Sequence, residues 1–400
     1  MKTYYFDHVA TNPLREDVLE AMMPYFREEF GNPLSNYPLG QNASQAIAEA
    51  REQVASLINA KAQGVVFTAS GAEANNMALR GLALAKKEKG QHVIVSRVEH
   101  HSVLNTARFL EKQGFTVTYL PCDRHGMISP GDLGKAIMDE TVLVSVIHAS
   151  SEVGTIEPIK ELAAVAHGRG ALFHTDAVAS VGNIPVDVED LGVDALSMSA
   201  HQFYGPKGAA ALYIKPGTRI TPLIYGGIQE SGRRAGTENV PAIVGMGKAS
   251  DIARESLQGR MESARRLRDR LVEGVMKVDN VIFTGHPTER LPGHASFCAE
   301  YIEGEAMLLM LAMKGIMVAS GSACSAKALK SSPILLSMGI PTNTAQGSVV
   351  FSLGEGTTEA DIDYVNKEFP QVIGRLREIS PYAKDGWGKE EGGEQCTPRK

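Results

Sequence analysis

The stretch from Leu172 to Ile214 reads LFHTDAVASVGNIPVDVEDLGVDALSMSAHQFYGPKGAAALYI. Three short apolar runs within it predict strands: Leu172–Thr175, Ala195–Ser199 and Ala210–Ile214. Polar residues follow the first two runs, at Asp176 and at His201. Ligands of open α/β sheets bind at the carboxyl ends of the strands. The stretch therefore predicts both a sheet and the position of its ligand crevice.

The same pattern continues towards the N-terminus, where apolar runs alternate with helical spacing. The further predicted strands are Val65–Thr68, His92–Ser96, Thr116–Leu120 and Val142–His148. The predicted helices are Arg15–Glu29, Ser44–Asn59, Glu73–Glu88, Val103–Gln113 and Ile159–Arg169. This alternation predicts an α/β fold whose large domain has a mostly parallel seven-stranded sheet covered by helices on both faces.

The C-terminal third of the chain predicts a smaller α+β domain. Residues 240–277 have the pattern of one long helix or two consecutive helices leading into it. Its predicted strands are Val281–Thr284, Ser296–Glu300, Ile316–Ala319 and Val349–Leu353. We expect a large domain at residues 15–250 and a small domain made of residues 1–14 and 251–380. Residues 381–400 lack periodicity and are expected to form a mobile tail.

Composition excludes several classes of protein. Apolar residues make up 43% of the 400 residues, as in globular proteins. The net charge is −6 without a basic block, so neither nucleic acid nor a membrane is expected as a partner. No apolar run approaches the ~20 residues that span a bilayer. The four cysteines, Cys122, Cys298, Cys324 and Cys396, show no C-x-x-C spacing, which indicates a reducing compartment, and we expect a cytoplasmic protein.

The segment Thr68–Glu73 follows a strand and opens a helix. The first N–H groups of a helix are unpaired and lie at the positive end of its dipole. Ser70, Gly71 and Ala72 are therefore candidates for binding a phosphate. The alternative is a plain strand-to-helix turn capped by Ser70, and both interpretations stay open at this point.

Three other polar segments lie at predicted strand ends. Asp176 is a candidate partner for the pyridinium nitrogen of pyridoxal phosphate (PLP), with helix capping as the alternative. His100, within Glu99–His101, is a candidate for stacking on an aromatic cofactor or for proton transfer, with a structural role as the alternative. The run Ser197–Gly208 offers small hydroxyls and a histidine that suit a phosphate.

Cys324 lies in the run ASGSACSA, residues 319–326. A cysteine among Gly, Ser and Ala is predicted to lie on an exposed loop rather than in a core. Exposed thiols can serve as nucleophiles, whereas buried ones are inert. An exposed thiol without a function would be an oxidation hazard, so a chemical role is predicted for Cys324.

In this order, these segments resemble the group I cysteine desulfurases, members of the class V aminotransferase fold (PLP-dependent fold type I). The likeness runs from Tyr5 to about Arg377. The matching segments are Tyr5 to Asp7, Gly31 to Pro33, Glu99 with His100, His148, Glu152 to Ile156, His174 to Ala177, Gly205 to Gly208, Gly236 to Asn239, Gly321 to Cys324, and Phe351 to Gly354. The combined pattern is specific for that family.

The resemblance implies roles for the matching residues. Cys324 would attack the sulfur of the substrate L-cysteine and carry the persulfide to an acceptor such as an iron–sulfur scaffold protein. The implied cofactor contacts are Asp176 to the ring nitrogen, His100 on the ring, Ser199 and His201 to the phosphate, and Thr237 to the phosphate across the interface of a homodimer.

Several positions depart from the family pattern, and the resemblance places them at cofactor and substrate contacts. Gln202 stands where the PLP-binding lysine is expected, and an amide forms no Schiff base. Val350 stands where an arginine would grip the substrate carboxylate. The other departures are Ser151 for an asparagine, Ala179 for a glutamine, Ala72 for a threonine, and His8-Val9 in the opening that runs from Asp7 to Thr11.

Three hypotheses follow. The first is a cysteine desulfurase-like protein of iron–sulfur cluster assembly that handles sulfur, or cluster iron as a thiolate ligand, through Cys324. The second is an enzyme whose PLP or pyridoxamine phosphate is held without a covalent bond, acting as a slow desulfurase or on another substrate. The third is a non-enzymatic dimer that binds a partner. The first is favoured, with PLP either bound non-covalently or absent.

Overall fold

β-Branched, apolar runs form the strands of the protein, as their periodicity predicts. The structure, a computed structural model, describes residues 2–321 and 331–380. The strands are β1 (Tyr4–Tyr5), β2 (Val65–Thr68), β3 (His92–Ser96), β4 (Thr116–Leu120), β5 (Thr141–Ser145), β6 (Leu172–Asp176), β7 (Ala195–Ser199), β8 (Ala210–Ile214), β9 (Val281–Thr284), β10 (His294–Ala299), β11 (Ile316–Met317) and β12 (Ser348–Ser352).

Helices separate most of these strands. They are α1 (Glu16–Met22), α2 (Pro24–Arg27), α3 (Pro38–Leu57), α4 (Gly71–Ala85), α5 (His101–Lys112), α6 (Pro130–Ala136), α7 (Ile159–His167), α8 (Val188–Leu191), α9 (Val240–Val275), α10 (Gly304–Met313), α11 (Pro333–Ser337), α12 (Thr342–Gln346) and α13 (Glu359–Ile379). None of the helices in the described part of the chain has both the length and the apolar character needed to cross a membrane.

The described residues contain a seven-stranded sheet in the order β2-β8-β7-β6-β5-β3-β4. The strands from β4 through β7 pair in parallel. Only β8 runs the other way, antiparallel to both β7 and β2. The predicted α/β fold with a mostly parallel seven-stranded sheet is confirmed.

Helices cover both faces of this sheet, and alternate residues of one strand point to opposite faces. On one face, Val93 of β3 packs with Met77 of α4 and Leu110 of α5. On the other face, Ile94 belongs to the core that includes Leu162 of α7. The near-continuous burial of the central strands is the reason that they read as apolar runs rather than as alternating ones.

A separate hydrophobic core lies around a three-stranded antiparallel sheet in the order β12-β10-β9. The ring of Phe351 on β12 meets Phe6 and Phe369 edge-on, with centroids 6.0 Å away from each. Strand β1 pairs in parallel with β11. The N-terminal arm thus joins the C-terminal third of the chain, and the predicted domain boundaries at residues 14/15 and 250/251 stay a prediction.

Several helix boundaries differ from those predicted. The predicted helix Arg15–Glu29 is two helices, α1 and α2, because Pro24 has no N–H with which to continue the first one. Helix α3 begins at Pro38 rather than at Ser44, since proline is well suited to a first helical turn. Residues 240–275 form one continuous helix, α9, whose N-terminus is capped by Asn239.

Candidate functional site

A cavity of about 490 Å³ lies at the carboxyl ends of the parallel strands. It is enclosed by the loops that follow β2, β3, β5, β6 and β7, by the N-terminal arm, and by the segment at residues 319–321. The predicted site residues in its lining are Ser70, Gly71, Ala72, His100, Ser151, Asp176, His201 and Gln202. Residues far apart in sequence are therefore brought around one space that can hold a cofactor.

Asp176 ends β6 and is buried at the floor of this cavity. Asn75 Nδ2 donates to its Oδ2 at 2.6 Å, and the backbone N–H of Val178 donates to its Oδ1 at 3.0 Å. Burial raises the pKa of Asp176 above its ordinary value, and these hydrogen bonds oppose that shift. A pyridinium nitrogen beside this carboxylate would supply the positive charge that favours its ionised form.

The N-terminus of α4 presents Ser70, Gly71 and Ala72 to the cavity. Ser70 caps the helix, since its hydroxyl accepts a hydrogen bond from the N–H of Glu73 at 3.1 Å. A Cβ at position 71 would lie 2.7 Å from Cγ2 of Val178, so the close packing here requires glycine. The helix-cap and the anion-binding interpretations are compatible. The Ser70 hydroxyl binds the N–H of Glu73, so it does not use the N–H groups of Gly71 and Ala72 at the start of the helix.

Two predicted phosphate contacts lie on the strand-to-turn segment after β7. His201 lines the cavity, and its Nδ1 is buried without a hydrogen-bond partner among residues 2–321 and 331–380. Burial lowers its pKa, so its imidazole is neutral at neutral pH. Ser199 is buried behind Gly71 rather than in the lining itself. Thr237 is exposed and lies outside the lining of the cavity.

His100 lies at the rim of the cavity as the N-cap of α5. Its Nδ1 accepts a hydrogen bond from the backbone N–H of Ser102 at 3.1 Å. This contact fixes the ring relative to the helix and leaves the opposite nitrogen, Nε2, free to carry the proton in the neutral tautomer. One orientation of the His100 imidazole is therefore compatible with both alternatives, the structural role and stacking on a cofactor ring.

Gln202 separates this cavity from a second one. Its Nε2 donates to the carbonyl of Val9 at 2.8 Å, and the side chain is 5% exposed. The second cavity, of about 300 Å³, shares Val9, Ala179 and Gln202 with the first. The position predicted for the PLP-binding lysine is thus occupied by an amide that ties the N-terminal arm to the turn after β7.

The substrate side of the cavity has few polar groups. Val350 is buried in β12, and its backbone pairs with that of Ala319. Ser151 contributes its carbonyl to His294 Nε2 at 2.9 Å. With Val350 and Ala179 in the lining, these two positions offer no bidentate partner to a substrate carboxylate.

Buried polar atoms test whether the cavity fits PLP. Four atoms of lining residues lack a hydrogen-bond partner in the described part of the chain: Asp7 Oδ1, Asn75 Oδ1, Glu99 Oε2 and His201 Nδ1. Such orphaned atoms are rare in folded proteins and indicate a missing partner. Together with the α4 N-terminus and Asp176, they fit a phosphorylated aromatic ring that carries donors and acceptors, held without a covalent bond.

Acidic residues that the predicted site did not include surround the cavity. Glu99 accepts from Ser96 Oγ and from the N–H of Ile147, and burial raises its pKa to about 8. Burial also raises the pKa of Glu152 to about 7. Asn75, which orients Asp176, was missed too. Its position four residues after Gly71 on the same helical face was the available signal.

The described cysteines are poor nucleophiles. Burial raises the pKa of Cys122 to about 11 and that of Cys298 to about 12. Cys324, predicted as catalytic and as a cluster ligand, lies outside the described residues, as does the predicted tail at residues 381–400. Among residues 2–321 and 331–380, no group of three or more histidine, cysteine, aspartate or glutamate side chains is arranged to hold a metal ion.

A parallel sheet with a phosphate-type cavity at its carboxyl ends is the arrangement of class-V aminotransferases, and the model of that family matches residues 4–365. The chain therefore belongs to the class-V aminotransferase family. It is similar to a cysteine desulfurase IscS from Dictyoglomus turgidum, with 49% identity over 95% of this chain and 97% of that protein.

Other relatives agree. A cysteine desulfurase IscS from Methanosarcina thermophila is 47% identical over 95% of this chain and 94% of that protein. The solved structure of a NifS-like protein superposes with a TM-score of 0.88 and 35% identity, covering 94% of this chain and all of that one (100%). The predicted likeness to the cysteine desulfurases is thereby confirmed over nearly the whole chain.

Proposed function

We propose that this chain is a cysteine desulfurase-like protein that handles sulfur in iron–sulfur cluster assembly through Cys324. The observation that carries the proposal is the state of position 202. Gln202, at the position where the family resemblance places the PLP-binding lysine, donates to the carbonyl of Val9 at 2.8 Å in the wall of a cavity lined by most of the predicted cofactor-binding residues. The sulfur-carrying cysteine of the family is present at position 324. A thiol in this role suits the reducing cytoplasm.

Two forms of this role are chemically available to Cys324. As a thiolate it can attack the outer sulfur of a persulfide donor, so that an S–S bond forms at Cys324 while the donor leaves as a thiolate; an acceptor thiolate then attacks that sulfane sulfur and Cys324 leaves as the thiolate. It can also bind iron of a nascent cluster at the interface with a scaffold protein, since thiolates are the preferred ligands of such clusters. The high pKa values of Cys122 and Cys298 leave neither as a competing nucleophile.

The test has two arms, both with this protein at full length: cluster assembly on a scaffold protein from sulfide and ferrous iron for the iron-binding form, and transfer of sulfane sulfur from a low-molecular-weight persulfide to an acceptor thiol for the carrier form. Cys324→Ala is expected to abolish the stimulation given by the wild type. Cys298→Ala is the matched control, because Cys298 is buried and its pKa is raised to about 12. Equal stimulation by Cys324→Ala and wild type would refute the proposal.

A second function, catalysis with a non-covalently held cofactor, is favoured by the cavity itself. PLP would supply an electron sink for bonds next to an amine. Asp176 would hold the ring nitrogen, and the α4 N-terminus with His201 would hold the phosphate. Equilibrium dialysis with PLP tests this reading. Wild type is expected to bind it and Asp176→Ala to bind it about tenfold less tightly or worse, as for the loss of a hydrogen bond to a charged group.

We further propose that the protein is a homodimer. The phosphate ligand predicted at Thr237 is exposed and outside the cavity of its own chain. A dimer would give this side chain a function at the neighbouring subunit's site. The third hypothesis, a non-enzymatic partner-binding dimer, has no specific contact among the described residues in its favour.

A further inference from the structure

The amide of Gln202 has a fixed orientation in the wall between the two cavities. Its Nε2 donates to the carbonyl of Val9 at 2.8 Å. Because a backbone carbonyl only accepts hydrogen bonds, this contact decides which end of the amide is the nitrogen. The amide oxygen, Oε1, is therefore directed away from that carbonyl, and it has no hydrogen-bond partner in residues 2–321 and 331–380. Position 202 thus offers a ligand an acceptor.

The arm that binds this amide also carries a carboxyl group. Asp7 lies two residues before Val9 and lines the cofactor cavity. Its Oδ1 is buried and has no hydrogen-bond partner in the described part of the chain. Burial raises the pKa of Asp7 to about 6, so the group is mostly ionised at about pH 8. A buried carboxylate oxygen without a partner is unfavourable, and a ligand that donates hydrogen bonds would supply the partner.

The lining of the cofactor cavity is acidic. It contains four carboxyl groups, those of Asp7, Glu99, Glu152 and Asp176. No lysine or arginine contributes to that lining within the ranges 2–321 and 331–380. The N-terminus of α4 is the place that favours an anion, since its first N–H groups are unpaired. Away from α4, a positive charge on a bound molecule would meet acceptors and carboxyl groups with no cation to oppose it.

The two forms of the cofactor differ in the group that position 202 would meet. In PLP this group is an aldehyde, which is uncharged and only accepts hydrogen bonds. In pyridoxamine phosphate (PMP) it is a primary amine, which is protonated at neutral pH and has three N–H donors. An aldehyde oxygen would leave Gln202 Oε1 and Asp7 Oδ1 without a donor, whereas an ammonium group can donate to both.

We infer that the cofactor cavity selects PMP, the amine form of the cofactor, over the aldehyde form, with Gln202 Oε1 and Asp7 Oδ1 as acceptors for its ammonium group. The inference rests on the second proposed function, binding of a cofactor without a covalent bond, and names the chemical form that is bound. Asp176 and the α4 N-terminus would bind parts that both forms share, so they contribute affinity but no selection.

Isothermal titration calorimetry of the full-length protein, freed of cofactor and held at about pH 8 where Asp7 is ionised, tests the selection. The ligands are PMP, PLP and 4′-deoxypyridoxine phosphate, in which a methyl group replaces the amine while the ring nitrogen, hydroxyl and phosphate stay. PMP is expected to bind at least about fivefold more tightly than either, as for hydrogen bonds to a charged group. Equal affinity of PMP and either other ligand would overturn the inference and leave cofactor binding standing. Binding of none of the three would refute both.

Two substitutions at position 202 form a matched pair. Gln202→Glu and Gln202→Leu both remove the donation to Val9, but only glutamate keeps an acceptor oxygen. The preference for PMP over deoxypyridoxine phosphate should persist in Gln202→Glu and fall to within about twofold in Gln202→Leu. Loss of the preference in both would show that the Val9 contact sets it, against the inference. Should either variant not fold, Asp7→Asn decides together with the wild-type comparison, because removing this charge should also weaken the preference.

Discussion

At the scale of the residue, position 202 separates this chain from the pattern its relatives imply. The Gln202 amide has a partner, the Val9 carbonyl at 2.8 Å, so the substitution is built into the local structure. The neighbouring departures Val9 and Ala179 share the same wall between the two cavities. The loss of the lysine is therefore accompanied by a rebuilt contact between the N-terminal arm and the turn after β7.

Gln202→Lys should restore covalent attachment of PLP. The cavity contains Asp176, His201 and the α4 N-terminus for binding PLP, and the variant adds the amine that a Schiff base requires. After incubation with PLP and desalting, the variant is expected to keep its cofactor absorbance, and wild type to lose it. Release of sulfide from L-cysteine should stay low, because Val350 supplies no carboxylate partner. A variant that loses its absorbance on desalting, as wild type does, would show that more than the anchor has been lost.

The hydrogen bond from the Ser332 hydroxyl to the buried carboxyl group of Glu152 predicts a pH dependence. A hydroxyl bonds more strongly to a carboxylate than to a protonated acid. Burial nevertheless raises the pKa of Glu152 from 4.5 to about 7, so the folded protein binds a proton that the unfolded chain has released between these pH values. The free energy of unfolding of wild type minus that of Glu152→Gln should therefore decrease as the pH rises from about 4.5 to 7, which chemical denaturation at several pH values measures.

Asp7 and Glu99 also line the cavity, and burial raises their pKa values to about 6 and about 8. Both groups are present in wild type and in Glu152→Gln, so their contributions cancel in the difference. A difference that stays constant between pH 4.5 and pH 7 would contradict the raised pKa of Glu152.

The site residues at the ends of predicted strands could be predicted from the sequence. Residues whose role depends on a contact with a distant side chain were missed. Asp176 and His201 follow apolar runs, so their place at the cavity could be predicted. Glu152 could not, because its contact with Ser332 joins residues 180 positions apart and no local pattern encodes such a distance. For Asn75 the local signal was its position four residues after Gly71 on α4, whereas its hydrogen bond to Asp176, 101 residues away, has none.

At the scale of the element, the loop before α9 is held by a buried ion pair. Arg51 of α3 binds Glu230 through both terminal nitrogens, at 2.6 and 2.7 Å, and the N–H of Phe67 donates to the same carboxylate at 2.9 Å. The Glu230 side chain is 3% exposed. This pair links α3, β2 and the loop that leads to Thr237.

Glu230→Gln should lower the free energy of unfolding by about 3 kcal/mol, because it leaves Arg51 partly buried beside an uncharged partner. Chemical denaturation of the full-length protein measures the change. Asp190→Asn removes the exposed pair with Lys160 and should cost under about 1 kcal/mol. Equal decreases in the free energy of unfolding of the two variants would show that the buried ion pair stabilises the protein no more than the exposed one.

Elements were predicted best where one physical signal dominates. Six strands have the predicted bounds, because polar turn residues on either side of an apolar run mark both of its ends. They are β2, β3, β4, β7, β8 and β9. Helix starts were predicted less well. Pro24 separates α1 from α2 although the amphipathic pattern continues across it, and Pro38 opens α3 six residues before the predicted start at Ser44. Proline chemistry, not periodicity, decides these boundaries.

At the scale of the whole molecule, large apolar side chains are exposed after α1 and in the segment that precedes Thr237 in the chain. Phe26 and Phe30 are 57% and 68% exposed, and Tyr225 and Ile228 are each 75% exposed. Exposed apolar groups in such number indicate a protein–protein contact. Since Thr237 lies outside its own chain's cavity, these side chains are the surface that the proposed homodimer would bury.

Sedimentation equilibrium should therefore show a dimer for the wild-type protein. The double variant Tyr225→Ser/Ile228→Ser is expected to weaken its association at least about tenfold, as the loss of buried aromatic and aliphatic anchors does at protein interfaces. Leu309→Ser/Met313→Ser is the matched control, because these α10 side chains are 67% and 75% exposed but lie on the other core of the protein. If PLP binds, the dissociated variant should also lose affinity for it, since Thr237 of the other subunit would no longer reach the phosphate. A wild-type monomer with full affinity for PLP would remove Thr237 from the site.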